Sequence, residues 1–244
     1  MPIVKARWKD EEHIIRDSDM DTMLNTLDTV KKQDSTLVYK GKNLEERLIV
    51  DHNMIKCMLC LLYIFGRRLS GILQLKKGDF WTKKGYLYVR FKVLKKARRR
   101  DKLTPKTRVK RVNMKGQWKY VHYIVNYVLK LESPDTPLFP GRSRPHTQIV
   151  KRKDETGKVI KTYEYNIKET GIMSRQRAYK IVKALNPDIY PHWFRHSLAT
   201  QLAEEGIDPW QLMSWFDWDR FATAKRYISG TGAMTRDISN REVG

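Results

Sequence analysis

The sequence predicts a mainly α chain with small antiparallel β-hairpins, an α+β fold. Three observations predict it. Between Asp19 and Gln33, residues Met20, Met23, Leu24, Leu27 and Val30 fall on one stripe at helical spacing. Gly85–Leu94 alternates and is rich in aromatic and β-branched residues, and Arg108–Met114 can pair with it across a charged tip. Pro191–Ile228 carries helix start and stop signals at Pro191, Gly206, Asp208 and Pro209, which divide it into three consecutive helices.

In chain order, residues 1–18 are a polar segment of mixed charge. The amphipathic helix Asp19–Gln33 follows, and Lys40-Gly41-Lys42 is a break. Asn43 with Glu46 three residues on reads as a capping box. It would open a helix that runs to about Phe65 and is almost wholly apolar over Ile55–Phe65, hence central. Gly66 ends that helix, and Ser70 is placed to cap a short one. Lys76–Gly85 reads as a turn-rich connection into the first hairpin. Gln117–Leu131 is a helix with Trp118, Val121, Ile124, Val125 and Val128 largely inward, closed by Ser133-Pro134-Asp135-Thr136-Pro137. Gln148–Asn166 reads as a second hairpin turning at Asp154–Gly157, an insertion. Ser174 caps a helix whose apolar side is Ala178, Ile181, Val182 and Leu185. The last helix, Asp219 to Ile228, carries Tyr227, and residues 229–244 form a tail.

Charge narrows the partner. The 244 residues hold 49 Lys+Arg against 27 Asp+Glu, a net charge of +22. Such an excess attracts polyanions; charge alone leaves DNA, RNA and anionic membranes open. The excess is local. Residues 1–40 have eight acids and seven bases, whereas Lys83–Arg111 has 14 bases and one acid. That density on one hairpin favours a surface that tracks phosphates. There is no apolar run of the roughly 18 residues a membrane helix needs, and the N-terminus lacks the apolar stretch of a signal peptide. A reducing cytoplasm is the default compartment; were the polyanion DNA, the protein would lie on the nucleoid when bound. Cys57 and Cys60 form a C-x-x-C, but they sit in an apolar helical run and no second Cys/His pair completes a metal site, so they read as core.

The chemistry-bearing residues lie in two places. His192 and Arg195, three apart, share a helix face. Trp218 follows Arg195 by 23 residues, and Tyr227 follows Trp218 by nine. Upstream, Arg67 and Arg68 follow Gly66 in GRRLSGILQL. Singly, each has a plain structural reading: Trp218 belongs to an aromatic-rich segment, Tyr227 is one of 12 tyrosines, and the arginines follow a helix. A histidine, arginines and a tyrosine delivered by consecutive helices of a basic chain point jointly to chemistry on a phosphate.

The run His192, Arg195, His196, Gly206, Trp218, Tyr227 resembles the C-terminal signature of tyrosine recombinases, the phage-integrase and Xer-type family. GRRLSGI resembles that family's first-arginine motif, G-L-R-x-S-E-L, with Arg68 rather than Arg67 in the catalytic place and Gly71 where the family has an acid. Leu138-Phe139-Pro140 matches a further short element. The resemblance covers about residues 19–228 and implies the tyrosine-recombinase catalytic domain. SRQRAYKIVKAL and the lysine-rich hairpin look most like integrases of archaeal mobile elements. Family members carry a further DNA-clamping domain ahead of this one; about 18 residues precede the first matched helix here, as in an excised catalytic portion or a minimal enzyme.

The resemblance implies a reaction. Tyr227 attacks a phosphodiester to form a 3′-phosphotyrosyl link, and a partner strand's 5′-hydroxyl resolves it. Arg68 and Arg195 clamp the non-bridging oxygens, since a guanidinium can grip two of them and keeps its charge. His192 accepts the tyrosine proton. A lysine of the hairpin protonates the leaving oxygen: Lys95 or Lys96, or Lys92 if the strand is short. Trp218 donates its indole N–H to the phosphate and packs. Arg98, Arg99, Arg100, Arg108, Arg175, Arg177, Lys92 and His196 are the expected DNA contacts. No cofactor and no metal is implied. The implied partners are double-stranded DNA and three further copies of the chain in a tetramer; no membrane is involved. Two alternatives stay open: a type IB topoisomerase-like nicking-closing enzyme, and a non-catalytic DNA-binding protein on the same scaffold.

Overall fold

The computed structural model describes residues 14–33, 35–41, 45–92, 107–141, 146–153, 159–167 and 171–230. Its axis is α2, His52–Phe65, in which Ile55, Cys57, Met58, Leu59, Cys60, Leu61, Leu62 and Phe65 are all buried. A helix apolar on every side must be covered on every side. Here α1 (Asp17–Gln33), α4 (Trp118–Leu129) and α6 (Pro191–Glu204) pack against it. The Asp51 carboxylate accepts the Met54 N–H at 3.1 Å to start α2, and Gly66 closes it in the left-handed conformation, φ 54°. Two polar side chains on α2, Lys56 and Tyr63, are satisfied by α1. Buried Lys56 donates to Asp28 at 2.6 Å and lies 4.9 Å over the Tyr123 ring. The Tyr63 hydroxyl donates to Asp17 at 2.7 Å, which lowers that carboxyl's pKa. Burial pushes the Cys57 and Cys60 thiols up, so they serve as small apolar side chains.

The expected stripe of α1 is met: Met20, Met23, Leu24 and Leu27 are buried. The segment before it also packs, with buried Ile15 donating its N–H to Ser197 Oγ at 2.9 Å. The helix expected from Asn43 is not formed. Thr36–Lys40 (β1) and Glu45–Ile49 (β2) pair antiparallel, with Thr36 opposite Ile49. The β-branched Thr36 and Val38 and the aromatic Tyr39 favour a strand, and Asp51 caps directly before the apolar run; Asn43 itself lies outside the described residues. The short helix α3, Leu69–Ile72, starts at Arg68, so Ser70 lies inside it and does not cap it. The connection before the first hairpin holds a 3₁₀ turn, Lys77–Asp79, and an unforeseen strand, Phe80–Lys83 (β3). Trp118 is 52% exposed, a correction to its expected inward place; it stands in the first turn of α4, outside the face carried by Tyr120, Val121 and Ile124.

Tyr86–Lys92 (β4) is central to a three-stranded antiparallel sheet, between β3 and Thr107–Asn113 (β5). Leu87, Val89 and Phe91 face the core and are buried. The pairing runs from Tyr86 opposite Asn113 to Lys92 opposite Thr107. Lys95, Lys96, Arg98, Arg99 and Arg100 lie beyond, outside the described residues. His146–Lys153 (β6) and Val159–Ile167 (β7) form the expected second hairpin. Arg175–Leu185 (α5) follows, its Ser174 accepting from the Arg177 N–H at 3.1 Å.

The C-terminal helices α6, α7 (Pro209–Phe216) and α8 (Phe221–Gly230) make a smaller core of Ala199, Ala203, Leu212, Phe216, Ala224 and Ile228. Asp208 caps α7 as expected, accepting from Trp210 and Gln211. Gly66 is where this small core meets the large one. A Cβ there would lie 2.8 Å from Phe216 Cε1 and 2.9 Å from Leu198 Cδ2, on a backbone that side chains resist. We expect Gly66→Ala to cost about 1–3 kcal/mol. Urea unfolding checks it: the midpoint should fall with the slope unchanged.

Candidate active site

Arg68 leaves the end of α2 on an extended backbone, φ −61° and ψ 136°, and is exposed. His192 stands in the first turn of α6. The two line an open pocket of about 470 Å³ together with Ser70, Arg175, Tyr179 and Tyr190. Desolvation by the surrounding protein, then the positive charges of Arg195 and Arg68, hold the His192 pKa below its ordinary 6.5. At neutral pH this imidazole is therefore neutral and able to accept a proton.

Arg195, next along the same face of α6, is buried. It donates to the Gly66 carbonyl at 3.0 Å and to the Phe216 carbonyl at 2.6 Å. Its guanidinium lies 4.9 Å over the Phe216 ring and 5.6 Å over the Trp218 ring. Burial, with Arg68 and Arg67 nearby, pulls its pKa down to about 9, which leaves it cationic at neutral pH.

The tyrosine is reached through rings. Trp218 and Tyr227 are stacked, centroids 5.1 Å apart and planes 7° apart, and Trp218 also stacks on Phe216 at 4.8 Å. The His196 ring meets Tyr227 edge-on at 5.4 Å. Tyr227 is half-buried; desolvation raises its pKa while Arg195 and Arg226 pull it down. His196 is held below its ordinary value by burial, then by His192. The predicted residues thus form two adjoining groups, a pocket with Arg68 and His192 and an aromatic cluster with Arg195, Trp218, His196 and Tyr227. Consecutive turns of α6 join them.

The expected DNA contacts divide. Arg175 lines the pocket, and Lys92 ends β4 beside α3. Arg177 donates to the Ile49 carbonyl at 2.6 Å, tying α5 to β2. Half-buried His196 packs on Tyr227 and on Trp193, at 5.0 Å, as a neighbour of the tyrosine. Arg108 directs its Nε toward Asp217 at 3.7 Å.

Sequence reasoning missed three participants. Arg67 is buried and engages the Asp217 carboxylate and the Trp215 carbonyl, the latter at 3.0 Å. Asp217 ends α7 with φ 52°. Lys110, on the core-facing side of β5, donates to the Ser214 carbonyl at 2.6 Å. Nothing in the spacing of WFDWDR marks Asp217. The doubled arginine after Gly66 was the one available signal for Arg67.

Comparison with solved structures gives the fold. The XerA recombinase superposes with a TM-score of 0.52 at 12% identity, over 94% of this chain and 65% of that one. The XerH site-specific recombinase bound to its difH substrate, a pre-cleavage complex, superposes with a TM-score of 0.50 at 15% identity, over 87% of this chain and 49% of that one. The chain thus spans about half the length of XerH. No curated protein sequence matches it. The phage integrase family, in contrast, is matched continuously over residues 42–232. That span takes in the Gly66–Arg68 turn, the α6 histidines and arginine, and Tyr227, and the chain belongs to the phage integrase family of tyrosine recombinases.

Proposed function

We propose that the chain cleaves and rejoins DNA at specific sites through a covalent 3′-phosphotyrosyl intermediate formed on Tyr227. The observation that carries this reading is that Arg68, His192, Arg195, Trp218 and Tyr227, separated by up to 159 positions (68 to 227) in the chain, lie in adjoining groups at one end of α6. A phosphate at the pocket would meet the Arg68 guanidinium first. It would then draw on Arg195, whose guanidinium is held near the tyrosine by the Gly66 and Phe216 carbonyls. The Tyr227 oxygen attacks phosphorus as its proton passes to His192; the 5′-oxygen leaves with a proton from a hairpin lysine, Lys95, Lys96 or Lys92. In the return step a 5′-hydroxyl attacks and the tyrosine regains its proton. The arginines stabilise the charge that peaks between these states. The bond energy is kept in the phosphotyrosyl ester, so the reaction draws on no nucleotide, and arginine and lysine supply the positive charge that a metal would otherwise bring. Joining two duplex sites calls for a tetramer.

The test is a nicked duplex, labelled on the strand that carries the scissile phosphate, incubated with protein in EDTA. We expect a covalent adduct on a denaturing gel, absent in Tyr227→Phe. Adduct formation without joining of two sites would favour the topoisomerase-like reading, and salt-sensitive binding without an adduct the non-catalytic one.

The pH dependence has a definite sign. The folded His192 pKa is depressed below 6.5, so the neutral base persists at neutral pH and is lost only as pH falls through that lower value. Adduct formation should be flat near pH 7 and fall on the acid side below 6.5; a pH–rate profile in which His192→Asn lacks this limb would confirm the assignment. The same shift makes His192 stabilise the fold increasingly as pH rises through the window between its folded value and 6.5.

Arg175 is exposed in the pocket wall. If it neutralises one phosphate, Arg175→Ala should flatten the log–log dependence of DNA affinity on salt by about 0.9. Binding titrations between low and moderate salt measure it.

A further inference from the structure

The C-terminal end of α7 gathers basic groups from three separate parts of the chain. Lys110 of β5 donates to the Ser214 carbonyl at 2.6 Å, Arg67 to the Trp215 carbonyl at 3.0 Å, and Arg195 to the Phe216 carbonyl at 2.6 Å. Arg67 also engages the Asp217 carboxylate, and Arg108 approaches it at 3.7 Å. The side chains of Arg67 and Asp217 are 7% and 5% exposed. Asp217 itself adopts φ 52°, a conformation that costs most side chains and is cheap for glycine. Trp218, the next residue, stacks on Tyr227.

A turn that needed only to end a helix would be served better by glycine. A buried carboxylate held there on a left-handed backbone, directed at an arginine from the loop that also delivers Arg68, requires another reason. The acid that the first-arginine motif would place at position 71 is absent: Gly71 has no side chain, and the nearest atom to a Cβ there is the Lys92 carbonyl at 3.8 Å.

We infer that Asp217 is a positioning residue of the active site: through Arg67 it locks the Gly66–Arg68 loop to the turn that carries Trp218. The inference rests on the recombinase reading. Asp217 touches neither substrate nor tyrosine. It sets the spacing between the Arg68 loop and the Trp218–Tyr227 stack, and its negative charge lets Arg67, Arg108, Lys110 and Arg195 stay close. Without it those cations repel one another, and the two halves of the site lose their register.

The test separates backbone from carboxylate. Asp217→Gly keeps the left-handed turn and deletes the charge; Asp217→Asn keeps a neutral acceptor. Each is compared with wild type for adduct formation at saturating protein, for affinity to the nicked duplex, and for hydrogen exchange at the Trp218 amide of the free protein. We expect Asp217→Gly to bind DNA as wild type does, to form adduct about 10²-fold more slowly, and to exchange the Trp218 amide faster, with Asp217→Asn between the two. If the unpaired Arg67 unfolds Asp217→Gly, the double variant Arg67→Leu/Asp217→Gly removes the buried charge and should fold yet remain slow. A folded Asp217→Gly with wild-type adduct rate overturns the inference and leaves Asp217 a helix cap. Equal losses of affinity and rate, restored together in the double variant, overturn it in favour of a purely structural pair. A wild type that forms no adduct overturns the recombinase reading itself; unchanged exchange at Trp218 would then also dismiss the lock, and faster exchange would retain it as a feature of the fold.

Discussion

A buried cation must be paired, and in this protein that requirement decides where the C-terminal helices sit. Arg67 and Arg195 are both buried, 6% and 4% exposed. An uncompensated charge in such a place costs several kcal/mol. Both find partners at one locus, the last carbonyls of α7, which carry the negative end of the helix dipole and have no partner within the helix. The buried Arg67–Asp217 pair differs in kind from a surface contact such as Lys76–Asp135, where the side chains are 44% and 87% exposed. Removing one member of a buried pair costs about 3–5 kcal/mol, because the other is stranded. A surface pair contributes about 0–1 kcal/mol.

That arrangement allows a strongly basic protein to concentrate cations around a site and still fold. Close guanidiniums repel, and the lowered pKa values of Arg195, His192 and Lys110 record burial first and this repulsion second. The fold answers with neutral dipoles and one central carboxylate instead of matching every cation with an acid. The distinction matters for a polyanionic partner. Carbonyls and a single aspartate leave the net field positive, whereas an equal number of acids would cancel the charge on which the proposed DNA binding depends.

Much of the candidate site could be read from the chain because each proposed catalytic role demands a residue type at a helix-determined spacing. Gly66, Asp208 and Ser174 mark element ends by their backbone preferences, and the structure places them there. His192 and Arg195 share a helix face for the same geometric reason. The failures are equally physical. The β1–β2 hairpin escaped because Asn43-x-x-Glu46 imitates a helix start, and local capping chemistry says nothing of the pairing that overrides it. β3 escaped because four residues are too short a run to show alternation. Asp217 and Lys110 escaped because their importance comes from contacts 150 and 104 positions away (Arg67 and Ser214), which no local pattern encodes.

On the proposed reading, the resting site is set for activation by a phosphate. Tyr227 is held protonated by burial, and Trp218 covers its ring. Arg195 is occupied by carbonyls and two aromatic faces. A stack of this kind is worth about 0.5–1.5 kcal/mol beyond its buried area, whereas each hydrogen bond from a guanidinium to a charged oxygen is worth about 1.5–3 kcal/mol. A phosphate accepting two or three such bonds can therefore displace the stack and redirect the arginines without unfolding anything. Its negative charge would also raise the pKa of His192, favouring proton uptake by that ring once substrate is in place. Against this, the Arg195 charge acts on the phenol throughout and favours the phenolate. In the proposed reaction the proton thus moves from a tyrosine that burial keeps neutral to a histidine that burial, and then the neighbouring arginines, keep neutral. The arrival of the phosphate tips the balance between them, which confines the nucleophile's activation to the DNA-bound state.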